Sequence, residues 1–246
     1  MKKITSRQNP EIINLAKLHD AKKRYTEKRF LAEGLRICQT LLEAEVKLLQ
    51  IYVTEESIDK VDTFVDENLI TIVSRPVMEK ISAASTPSGI VGVFTLPKQP
   101  PFAQLDAGIV LADITDPGNM GTLIRTCIAM GKKTIVIVEG VDPWNPKVIQ
   151  ASAGTIGKAT LFQCTWQELM DHKKNLALAA LIVHGGSSLE TIDKKVLLVI
   201  GNEARGIRSA WLKECEQTIT LSMPGNVESL NAAVAGSIAM YELWSK

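Results

Sequence analysis

The sequence predicts an α/β protein: a smaller N-terminal α/β domain followed by a larger domain built on a parallel sheet. Three observations carry this. Strand-like and helix-like segments alternate along the whole chain, the pattern of layered α/β folds. Strands of the second half, such as Val196–Ile200, are apolar without polar alternation, as expected where a parallel sheet is covered on both faces. Between the halves, LPKQPPFAQ (Leu96–Gln104) holds three prolines in nine residues, a stiff, extended connector. The expected division is therefore a domain over 1–95, a linker over 96–106 and a second domain over 107–246.

In the first domain, Asn9-Pro10-Glu11 reads as a helix start, with a capping side chain, proline at the first helical position and an acid in the first turn. AKKRYTEKR (Ala21–Arg29) is a basic run. Phe30–Ala32 predicts a short strand ending near Gly34, and Leu35, Cys38, Leu41 and Leu42 mark one face of a helix. Strands are expected at Leu48–Val53, Leu69–Val73 and Ile90–Phe94, with helices over Ser57–Val65 and from Ser74 to about Ala84.

The second domain repeats the alternation with longer elements. Strands are expected at Gly108–Ala112, Thr134–Val138, Thr160–Cys164, Ala177–Val183, Val196–Ile200 and Gln217–Leu221. Helices are expected at Met120–Met130, Pro146–Ala153, Trp166–Lys174 and Ser209–Cys215. Met223-Pro224-Gly225-Asn226 forces a turn, and Ser229 reads as the N-cap of a last helix. That helix carries Ala232, Ala235, Gly236 and Ala239 as a stripe of small residues.

Composition narrows the function classes. The 246 residues are 46% hydrophobic and 22% charged with net charge +1, an ordinary globular balance. Charge is unevenly spread: residues 1–36 hold ten Lys and Arg against four Asp and Glu, an excess of six that suits an anionic partner. Four scattered cysteines and three isolated histidines show no metal-ligand spacing, so no metal is expected. Met1-Lys2-Lys3 runs into polar residues, and the longest apolar runs are far too short for a bilayer; the cytoplasm is the expected location. Gly154-Thr155-Ile156-Gly157-Lys158 lacks the first glycine of a phosphate loop, and no GxGxxG follows a strand.

In open parallel sheets, ligands bind beyond the carboxyl ends of the strands. Three such ends carry unusually polar loops: Asp113–Asn119, Gly201–Gly206 and Leu221–Asn231.

DPGNMGTLIRTC (Asp116–Cys127), LVIGNEARGI (Leu198–Ile207) and LSMPGNVESLNAAVA (Leu221–Ala235) resemble, in order and spacing, the three motifs of the SpoU/TrmH family. These are RNA ribose 2′-O-methyltransferases of the SPOUT superfamily. NPEIINLAKL and RFLAEG resemble the N-terminal substrate-binding domain of many members, whose fold is like that of certain RNA-binding ribosomal proteins. The third motif departs from the usual Ile-Pro-Met, reading Leu221-Ser222-Met223.

The resemblance implies a deep trefoil knot in the C-terminal domain and a homodimer formed through that domain. It implies S-adenosyl-L-methionine bound by Gly201, Leu221 and Leu230. Asn119 would hold the active-site loop, and Arg125 would act on the ribose hydroxyl, oriented by Glu203, Ser229 and Asn231. Arg125 is either a base with a greatly depressed pKa or a lasting cation that stabilises the developing oxyanion. The second is favoured, because guanidinium stays protonated at ordinary pH. Lys22, Lys23, Arg24, Lys28 and Arg29 suit RNA phosphate. The implied substrate is structured RNA, foremost 23S ribosomal RNA. The alternatives are a tRNA ribose methyltransferase and a non-catalytic RNA-binding or ribosome-assembly protein of the same fold.

Overall fold

The structure is a computed structural model and describes residues 1–225 and 228–245. Asn226, expected in the turn before the last helix, lies outside the described residues. Two units are formed: Met1–Lys98 with Asp142–Gly157, and Gln99–Val141 with Lys158–Lys246.

The first unit runs β1 (Lys2–Ile4), α1 (Pro10–Ala16), α2 (Ala21–Glu27), β2 (Arg29–Glu33), α3 (Leu35–Glu43), β3 (Leu48–Val53), β4 (Ile70–Val73), α4 (Arg75–Ile81) and β5 (Ile90–Thr95). Its sheet has the order β1-β4-β3-β5-β2. Strands β1, β4 and β3 are parallel, and β5 runs antiparallel to both its neighbours. Helix α1 starts as local chemistry dictates: Asn9 Oδ1 accepts from the Glu11 amide at 2.9 Å, with Pro10 at the first helical position. Ile12 and Leu15 of α1 and Val77, Met78 and Ile81 of α4 pack with Ile4, Leu31, Tyr52, Val73 and Val91 in one core. The helix expected over Ser57–Val65 is only a 3₁₀ stretch, Glu55–Lys60; Asp59, Asp62 and Thr63 are weak helix formers.

The second unit runs β6 (Gly108–Ala112), α5 (Pro117–Ala129), β7 (Thr134–Val138), β8 (Thr160–Cys164), α7 (Trp166–His172), β9 (Ala177–Leu181), β10 (Val196–Gly201), α8 (Ser209–Leu212), β11 (Gln217–Ile219) and α9 (Ala232–Trp244), with α6 (Pro146–Ala151) falling between β7 and β8 in sequence. All six strands are parallel, in the order β11-β9-β10-β6-β7-β8. Strands β6, β7 and β10 are buried throughout, as their unbroken apolar runs predict. Gly201 pairs with Ala112, so β10 and β6 end side by side and the loops that follow them are neighbours.

One segment departs from the expected division. Residues 142–157, including α6, pack with the first unit rather than with 107–246. Asp142 pairs with Arg24, and Trp144 lies on Phe30 with ring centroids 4.8 Å apart. These partners lie more than a hundred residues upstream, beyond the reach of any local pattern. No helix among the described residues is long and apolar enough to cross a membrane.

Candidate active site

The three polar loops expected from the sequence meet. Asp116, the N-cap of α5, accepts from the Asn119 amide at 2.7 Å, which fixes Asn119 in the first turn. The Asn119 side-chain amide donates to Glu203 Oε1 at 3.0 Å, and its carbonyl oxygen accepts from the Asn231 side-chain amide at 3.1 Å. One asparagine thus ties the loop after β10 to the start of α9. Glu203 also accepts from the Thr115 hydroxyl at 3.0 Å, the Thr115 amide at 3.3 Å and the Asp116 amide at 3.1 Å. Burial alone would raise the Glu203 pKa; the bonds from Asn119, its own amide and the amides of Asp116 and Thr115 outweigh it, holding the group below the usual carboxylate range.

A second clamp comes from residues outside the expected site. Asn202, buried at the end of β10, donates to the Asp113 carbonyl at 2.9 Å and accepts from the Ala204 and Arg205 amides. Asp113 has φ of +60°, a conformation that Asp tolerates better than most side chains. Its carboxylate faces Arg205 and Arg208, each at 3.4 Å. The signal for both was position: each directly follows a fully apolar strand in a parallel sheet.

The loop after β10 and the segment leading into α9, together with Leu181–Val183 at the end of β9, wall a cavity of about 430 Å³, within the range of small-molecule sites. Gly201, Leu221 and Leu230 line it as expected, as do Glu203, Ser229, Ala232 and Ala235. A Cβ on Gly201 would sit 2.5 Å from the backbone of Gly206 and Ile207, so only glycine lets that loop fold against the strand. The small-residue stripe has two uses: Gly236 and Ala239 are buried, Gly236 against Leu123 and Ile200, while Ala232 and Ala235 form cavity wall.

Several expectations need correction. Asn231, not Ser229, caps the last helix, its oxygen accepting from the Ala233 and Val234 amides; a cap must lie directly before the first helical residue, and the helix opens at Ala232. Arg125 is exposed on α5 and makes no hydrogen bond or ion pair among the described residues. Among the described residues Glu203 and Asn231 bond Asn119 rather than Arg125. In the basic run, Arg24 is not available to RNA. It is 1% exposed, pairs with Asp142, and donates to the Leu18 and His19 carbonyls at 2.7 and 2.8 Å. Lys23 and Arg29 pair with Glu27, which leaves Lys22 and Lys28 as the exposed cations of that run without an ion pair among the described residues.

The sequence pattern of the SpoU rRNA methylase family matches residues 106–241, which include all three loops and every residue lining the cavity. The chain belongs to the SpoU rRNA methylase family. An MRM3-like substrate-binding domain matches residues 9–92. An uncharacterised tRNA/rRNA methyltransferase of Synechocystis is 30% identical over 97% of this chain and 92% of its own length. A 23S rRNA (guanosine(2553)-2′-O)-methyltransferase of Bacillus subtilis is 26% identical over 99% of both chains. The solved structure of an AdoMet-bound rRNA methyltransferase from Sinorhizobium meliloti superposes with a TM-score of 0.86 at 25% identity, over 98% of this chain and 97% of that one. SpoU enzymes of this kind are RNA 2′-O-methyltransferases, and the chain is an enzyme of that class.

Proposed function

We propose that this SpoU enzyme methylates a ribose 2′-hydroxyl of 23S ribosomal RNA, using S-adenosyl-L-methionine. The observation that carries the reading is the Glu203–Asn119–Asn231 hydrogen-bond chain, which ties the loop after β6 to the two segments that wall the cavity. The Bacillus subtilis relative, similar over its whole length, supports the choice of RNA.

The cavity suits this cofactor. Ile200, Leu221 and Leu230 offer apolar wall for an adenine face, Gly201 permits close backbone approach, and the carboxylate of Glu203 favours a cation nearby. The cofactor brings a methyl group on a sulfonium, already a good leaving group. The chain's own work is alignment and charge. Asn119, locked by both its amide atoms and its backbone, holds the loop after β6 in one geometry, which is the entropic part of catalysis. Arg125, exposed and without an ion pair or hydrogen bond among the described residues, would meet the ribose and stabilise its developing oxyanion as a permanent cation.

The exposed apolar stripe Val234, Ile238 and Tyr241 on α9 supports a homodimer through the last helix, and the trefoil knot belongs to the same reading. RNA would be gripped by the first unit, with Lys22 and Lys28 on phosphate. The test is Arg125→Ala. Its calorimetric affinity for S-adenosyl-L-methionine should match that of the unmodified protein, while turnover on 23S rRNA falls by about two orders of magnitude or more. Retained turnover would remove Arg125 from the chemistry.

A further inference from the structure

The first unit carries a cavity of its own, with Arg29 of the basic run at its edge. It is a groove of about 850 Å³ on the sheet face. Strand alternation explains why it exists. On one face of this sheet, Ile4, Val73, Tyr52, Val91, Val93 and Leu31 pack with α1 and α4 in one core. Lys2, Thr71, Gln50 and Arg29 lie on the same face, two residues along their strands from Ile4, Val73, Tyr52 and Leu31, and they line the groove together with Val93.

The groove brings hydrogen-bonding side chains to the edge of that core. Gln50 donates to the Thr71 hydroxyl at 2.9 Å, which aims its amide across the strands. A β-bulge between Leu48 and Gln50 breaks the alternation and brings Leu49 onto the same face, packed against that core. Bulges re-aim side chains beside functional sites. At the rim, Tyr52 donates to Glu11 at 2.6 Å and Lys2 pairs with the same carboxylate. Burial alone would raise Glu11; the bonds from Lys2 and Tyr52 outweigh it and keep the group below the usual carboxylate range.

We propose that this groove receives one unpaired nucleotide of the RNA substrate. Its base would lie on the partly buried Leu49, with its edge read by the Gln50 amide. A primary amide offers a donor and an acceptor side by side, matching the paired groups on a nucleobase edge. RNA is read at such splayed-out bases far more than in its duplexes. Lys2 and Arg29 line the groove from the two edge strands, each paired with a glutamate, Glu11 and Glu27, within a segment, residues 1–36, that carries six excess positive charges. The inference rests on the first unit being the RNA-binding one.

The experiment uses the full-length protein and in vitro transcribed 23S rRNA, with two variants that act in opposite ways. Gln50→Ala removes the reading group, and Leu49→Trp fills the groove without touching Gln50. Each should raise KM for RNA about tenfold, the effect of losing one or two net hydrogen bonds. Calorimetric affinity for S-adenosyl-L-methionine, kcat at saturating RNA and the thermal midpoint should stay near those of the unmodified protein. The salt dependence of RNA binding should also be unchanged for Gln50→Ala, because no phosphate contact is lost. If both variants fold and bind RNA like the unmodified protein, the groove is not a nucleotide site. If the unmodified protein neither binds nor methylates the RNA while still binding the methyl donor, the functional reading itself fails and takes the groove with it.

Discussion

Arg24 shows how one residue of a charge run can have a purely structural task. Its guanidinium lies inside the first unit, bonded to two carbonyls and to Asp142. Removing it leaves the Asp142 carboxylate, only 14% exposed at its side chain, without its cation and with the Tyr25 hydroxyl and the Trp144 amide as its remaining donors among the described residues, and it strips two carbonyls of a donor. Arg24→Met should cost about 3–5 kcal/mol of stability, measured by denaturant unfolding, whereas Lys22→Ala should change stability little. Glu203 gives a pH prediction. Its pKa is depressed in the folded protein, below the ordinary value of 4.5, so its bonds are fully present above that value and are lost as pH falls through the lower, folded one. Affinity for the methyl donor should therefore hold down to about pH 5 and decline only in stronger acid, as followed by calorimetry. Glu203→Gln should abolish that acid limb and bind more weakly throughout. The cysteines offer no competing chemistry: burial pushes all four thiols up to about 12, leaving them protonated.

At the scale of elements, the end of β10 is the tightest point of the site. Gly201→Ala would drive a Cβ into backbone at 2.5 Å, and backbone cannot step aside as a side-chain tip can. The variant should lose about 1–3 kcal/mol of stability and most of its affinity for the methyl donor, read by thermal unfolding and calorimetry. Gly236→Ala meets only the ends of Leu123 and Ile200 and should be milder. The β-strands were legible because they are apolar runs between turn residues: Leu48–Val53, Gly108–Ala112, Thr134–Val138 and Thr160–Cys164 lie where the pattern put them. The cap of α9 was misread, since Ser229 and Asn231 are both good caps and only the first helical residue decides between them. The docking of Asp142–Gly157 was illegible, since its cause is a pair of contacts to Arg24 and Phe30 across more than a hundred residues.

At the scale of the whole molecule, the sequence and the structure made visible different parts of the site. Three polar loops at strand ends could be read as a site, and Gly201, Leu221 and Leu230 do line one cavity. The bonds within it could not be read: Asn119 as the bridge between loops, and Asn202 holding Asp113, depend on which strands are neighbours in the sheet. Sheet order in turn depends on burial summed over the entire second unit. The groove on the first unit has the same origin, since nothing in a six-residue strand announces which half of its face a helix will cover. The central claim is that the site transfers methyl to a ribose oxygen. The most direct measurement is transfer of tritiated methyl to 23S rRNA, followed by complete alkaline hydrolysis. A 2′-O-methyl group blocks cleavage at its own phosphodiester, so the account predicts label in alkali-resistant dinucleotides; label recovered only in mononucleotides would place the methyl on a base and contradict it.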